Sequence, residues 1–117
     1  MAKPPRLLVR FFRSETGNEP VREWLKSLSA ADRKVIGDDI RTVQFGWPVG
    51  MPLNRPLGGG LHEVRSTLEG NRIARVIFVV KDGAGVLLHG FIKKSRATPK
   101  QDLQLARSRS KRLQSGK

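Results

Sequence analysis

Residues 61–94 read LHEVRSTLEGNRIARVIFVVKDGAGVLLHGFIKK. Three apolar, β-branched runs, 61–68, 72–80 and 86–94, are separated by Glu69-Gly70-Asn71 and by the turn KDGAG at 81–85. Connections that short allow only hairpins, so the three runs predict an antiparallel meander. Side chains alternate faces along a strand. Glu63, Arg65 and Thr67 therefore share one face of the first run, Ile73, Arg75, Ile77 and Val79 one face of the second, and His89, Phe91 and Lys93 one face of the third. Arg75 is the one charge between Ala74 and Val80, and a lone charge in an apolar strand needs a partner or a purpose.

Upstream, FGWPVGMPLNRPLGGG (45–60) holds three prolines and five glycines, a composition that predicts no regular structure. Before it, Ile36, Ile40, Val43 and Trp47 recur at helical spacing, and Ser29 with Asp32 forms a helix start. Val21, Leu25 and Leu28 mark an earlier helix that has Pro20 in its first turn. LLVRFFR (7–13) reads as a first strand. Downstream, ATPKQDLQLARSRSKRLQ opens like a capping box, Thr98 to Gln101, with Pro99 at the first helical position. Its apolar stripe is thin, so a weakly docked or fraying helix is expected. The order strand, two helices, loop, three strands, helix predicts an α+β domain: a small antiparallel sheet with two N-terminal helices and a C-terminal helix. One face of the sheet is expected to pack on helices and the other to hold polar groups in an open concavity. A single domain over 1–117 is expected, with about 1–6 and 114–117 disordered.

The charge narrows the function. The chain has 117 residues, 23 Lys/Arg against 10 Asp/Glu, a net charge of +13 and no cysteine. No disulfide or thiolate metal site is possible, two histidines are too few for a histidine-based site, and no cofactor motif is present. GGGL lacks the lysine and the strand-to-helix context of a phosphate loop. No membrane-spanning run or signal peptide is read, so a cytoplasmic protein is expected. Nucleic acid is the default partner of such a field; an acidic protein partner and a charged surface kept for solubility are the other readings. Nine cations and one acid, Asp102, lie between Lys93 and Lys117, which makes that quarter the anion-facing part. Arg96, Lys100 and Arg107 are its candidate RNA-binding residues.

Arg75 has two readings: a structural ion pair with Glu63 or Glu69, or an arginine aimed at a phosphate. Arg65 is either a phosphate ligand or part of a solvated strand face. Lys93 and Lys94 either blunt a strand end or contact phosphate. His89 is either a core histidine or a catalyst. RNA can be cut without metal when its own 2′-hydroxyl attacks, provided a base, cations and an acid are present. An ordinary lysine pKa of about 10.4 is too high for a base, and crowding by other cations would lower it.

GLHEVR, RVIFVV and LLHGFIKKSRATP, with VREWLKSL and the 43–61 stretch, resemble the phage-derived, HigB-like branch of the RelE/ParE toxin superfamily. The likeness covers about residues 7–108. It implies a RelE-like sheet and the toxin of a type II toxin–antitoxin pair, a metal-independent, ribosome-dependent mRNA endoribonuclease that inhibits translation. By strand position it implies Arg65 and Arg75 at the scissile phosphate and Lys93 and Lys94 as acid–base or phosphate-binding cations. Many relatives carry a tyrosine or histidine near the chain's end. This sequence has no tyrosine and no histidine after 89, so His89 stands as the imidazole candidate. His62 occupies a place where an aromatic, usually tryptophan, is expected. The implied partners are a helix-turn-helix antitoxin, the ribosome with its mRNA and, for the toxin–antitoxin complex, operator DNA. The alternatives are a ParE-like gyrase inhibitor, a non-catalytic RNA- or ribosome-binding module, and a phage accessory protein that has lost its chemistry.

Overall fold

The computed structural model describes residues 4–93 and 97–115, with the side chains of 114 and 115 excepted. The elements run β1 (Leu8–Phe11), α1 (Pro20–Ser27), α2 (Ala30–Gly46), β2 (Asn54–Gly58), β3 (Leu61–Thr67), β4 (Ile73–Lys81), β5 (Ala84–Lys93) and α3 (Lys100–Ser115), with a single turn of 3-10 helix at Glu69–Asn71. The fold is α+β, as expected. The ends expected to be disordered fall partly outside the described residues.

The meander β3–β4–β5 forms as the hairpin loops require. Gly70, Asn71, Asp82 and Gly83 take up the positive φ that its two turns demand. Two strands flank it, giving the order β1-β5-β4-β3-β2. β1 runs parallel to β5, from Leu8 opposite Ala84 to Phe11 opposite Leu87, so the sheet is mixed rather than purely antiparallel. β2 corrects the reading of 45–60. Asn54–Gly58 pairs with β3 despite Pro56, because an edge strand tolerates a residue without an N–H.

The helices divide between the faces. α1 and α2 cover one, where Val21, Ile36, Ile40 and Val43 pack on Val64, Val76, Phe78 and Leu87. The Ser29 hydroxyl caps α2 by accepting from the Asp32 N–H at 3.2 Å. Gly90 lets α1 sit close, since a Cβ there would lie 2.4 Å from the Trp24 ring. The other face is not an open concavity. α3 lies across it on β4 and β5, and Ala106, with Leu103 and Leu113, joins a second core of Phe12, Leu61, Ile77, Val79, Val86, Leu88 and Phe91.

α3 docks more firmly than its thin apolar stripe predicts, because polar bonds reinforce it. The Arg109 guanidinium donates to the Leu88 carbonyl at 2.8 Å, and Lys81 donates to the Leu113 carbonyl near the helix's far end. Thr98, read as a cap, turns inward and donates to Glu63 Oε2 at 2.7 Å.

Candidate functional site

The face that α3 covers is the one carrying the candidate residues. Three rows cross β3, β4 and β5 in register: Glu63–Ile77–His89, Arg65–Arg75–Phe91 and Thr67–Ile73–Lys93. His89 owes its place to a β-bulge. Ile77 pairs with His89 and Phe78 with Leu87, leaving Leu88 as the extra residue. Strict alternation from Val86 would put His89 on the α1–α2 side. The extra residue turns it over, a known use of bulges beside sites, and Arg109 holds the bulged carbonyl.

Phe91 is the hub of the cluster. The His89 ring stacks on it at 5.5 Å, the Arg75 guanidinium lies 5.8 Å from its centroid and the Lys93 ammonium 5.9 Å. His89, Arg75 and Lys93 are thus brought together. Arg75 is 0% exposed. Its Nη1 donates to the Ala97 carbonyl at 2.9 Å. Burial pushes its ionisation below the ordinary guanidinium value, Glu63 opposes this, and the nearby Arg65 and Arg55 add to it. Glu63 is equally buried. It accepts from Thr98 and lies 3.8 Å from Arg65 Nε. Arg75 therefore backs Phe91 and anchors the chain before α3, while Glu63 balances the charge from a neighbouring row.

Arg65 lines an open groove of about 530 Å³ with Val35 and Asp39 of α2, Pro52, Leu53, Thr67 and Ile73. Ile73 also pairs with Lys93, so that groove and the cluster share a strand row. Lys93 is paired with a carboxylate rather than crowded by cations alone: its Nζ donates to Asp102 Oδ2 at 3.1 Å, and His89 Nε2 meets Asp102 Oδ1 at 2.6 Å. Burial alone would push the Asp102 carboxyl up, but the bonds from His89 and Lys93 prevail and hold it below the ordinary carboxylate range. Lys100 and Arg107 are exposed on α3, with Arg107 beside the Gly59 loop. Lys94 and Arg96 lie outside the described residues.

Sequence reasoning missed Asp102, Arg55 and Phe91 as members of the site. Asp102 was visible as the lone acid in a basic quarter, a signal worth following. Arg55 sits opposite Glu63 in a strand that was not expected.

Residues 23–111 match the family described as "Phage derived protein Gp49-like (DUF891)". The chain belongs to this family. The Gp49-like family is associated with toxin–antitoxin systems and related to RelE- and HigB-type toxins, and membership implies a cognate antitoxin as partner. A search of curated proteins finds no match. Among the described residues, no helix of this Gp49-like protein is long and apolar enough to cross a membrane.

Proposed function

We propose that this Gp49-like chain is the toxin of a type II pair and cuts mRNA on the ribosome, in the cytoplasm, without a metal ion. The observation that carries the reading is the meeting of His89 and Lys93 around Phe91, with Arg75 behind and Arg65 beside it. An imidazole and an ammonium on one face are the base and the acid that transesterification needs. The ribose 2′-oxygen attacks phosphorus and its proton passes to His89. The P–O5′ bond breaks, and the leaving 5′-oxygen takes a proton from Lys93. The products are a 2′,3′-cyclic phosphate and a 5′-hydroxyl. Arg65 stabilises the extra phosphate charge from the groove, and Arg75 contributes its field from beneath Phe91. Lys94, Arg96, Lys100 and Arg107 extend the electrostatic footprint along the RNA.

The complete burial of Arg75 favours a second reading, in which the chain binds RNA without cutting it. Purified protein decides between them on a defined mRNA, either free in EDTA or on programmed 70S ribosomes in their normal magnesium. The nuclease reading expects cuts ending in cyclic phosphate, abolished by a 2′-deoxy substitution at the scissile position and reduced at least about 100-fold in His89→Asn. Binding with no cuts in either condition would sink it, and DNA gyrase supercoiling would be assayed next.

A further inference from the structure

The two groups assigned to proton transfer do not simply lie near each other. Each is bonded to a different oxygen of one carboxylate, His89 Nε2 to Asp102 Oδ1 at 2.6 Å and Lys93 Nζ to Oδ2 at 3.1 Å. Asp102 is 13% exposed and sits in the first turn of α3, whereas both of its partners belong to β5. The bracket therefore spans the seam between sheet and helix. Two further bonds fix that seam on either side, Thr98 to Glu63 and Arg109 to the bulged Leu88 carbonyl.

An ionised carboxylate only accepts hydrogen bonds, so the imidazole nitrogen facing it must bear the hydrogen. In neutral His89 that places the hydrogen on Nε2 and leaves the lone pair on Nδ1. The same carboxylate keeps the Lys93 ammonium next to the ring, with one of its protons spent on Oδ2 and the others available.

Resting on the ribonuclease reading, we propose that Asp102 is a positioning residue: it fixes the His89 tautomer so that Nδ1 is the base, and it sets the spacing between that base and the Lys93 acid. Asp102 does not touch the RNA. It acts through the two groups it holds, as outer partners commonly orient reactive ones. Catalytic competence is then tied to the seating of α3, because the bracket exists only while helix and sheet are in contact.

The test pairs a spectroscopic readout with kinetics on the full chain. In uniformly 15N-labelled wild type at a pH where His89 is neutral, the two ring nitrogens are to be distinguished by their long-range couplings to the ring protons. The expected result is an Nε2–H tautomer. In Asp102→Asn, whose amide can donate as well as accept, the tautomer should become mixed. Single-turnover cleavage on ribosomes should fall about 10–100-fold while the concentration for half-saturation stays unchanged. An Nδ1–H tautomer in the wild type, or full cleavage by Asp102→Asn, would overturn the proposal. If the variant does not fold, the wild-type spectrum still decides the tautomer, and Asp102→Glu, which keeps the charge but displaces it, should retain fold and lose rate. A wild type that shows the Nε2–H tautomer but cuts no RNA would refute the nuclease reading and remove the catalytic part of the role, leaving a purely structural clamp.

Discussion

His62 shows how much one residue's surroundings can decide. Its ring is stacked on Phe78 at 5.2 Å and meets the Trp47 ring edge-on at 5.1 Å. Its Nδ1 is buried with no hydrogen-bond partner. Burial lowers its pKa from the ordinary 6.5. The sign follows directly. Above about pH 6.5 the ring is neutral in both states and titration costs nothing. As pH falls below that, the unfolded chain takes up the proton first, and stability is lost progressively until the folded value is reached. Urea midpoints between pH 7.5 and 5 should therefore decline in the wild type, and the decline should be shallower in His62→Phe. Equal slopes would show that the site accepts the charge without penalty. The expectation of an aromatic at this place fits the niche, since the ring serves there as an apolar plate.

At the scale of elements, the meander was legible because its hairpin loops and apolar alternation leave few other arrangements. Parity within each strand groups Glu63 with Arg65 and His89 with Phe91 and Lys93, and sets the face of Arg75 within β4; that the three sets meet on one face comes from the strand register and the bulge. Two things resisted. β2 carries Pro56 and ends at Gly58, so its local propensity argues against the pairing that the neighbouring β3 edge imposes. The seating of α3 depends on long-range bonds of Thr98, Asp102 and Arg109 as well as on a thin apolar stripe, and such bonds leave no periodic trace. The bulge was equally invisible, since nothing in VLLHGF announces which residue is extra. Arg109→Leu tests its support. Losing the bond to the Leu88 carbonyl should cost about 1–3 kcal/mol of unfolding free energy, seen as a lower denaturant midpoint. It should also speed amide exchange in β5 around Leu88 more than in β3. A uniform acceleration across the sheet would indicate that Arg109 supports the fold globally rather than the bulge.

For the molecule as a whole, charge dominates the outer behaviour and topology the inner. With a net charge of +13, RNA binding should release counterions. If about four phosphates of a single strand are neutralised, affinity should drop about 50-fold for a fourfold rise in salt. Fluorescence anisotropy with a short RNA measures this directly, and a flat salt response would place the cations elsewhere than against phosphate. Topology has its own consequence, one of timing. β1 has β5 as its neighbour in the sheet, Leu8 beside Ala84, so β1, synthesised well before β5, must wait for it before its ladder can form. Helices α1 and α2 can shelter Val9 and Phe11 in the interval, because both emerge before β5. The outer face has no such early cover. Phe12, Ile77, Val86, Leu88 and Phe91 stay open until α3 follows the strands out. A nascent chain of this kind spends its most adhesive moment with the sheet built and the last helix still to come.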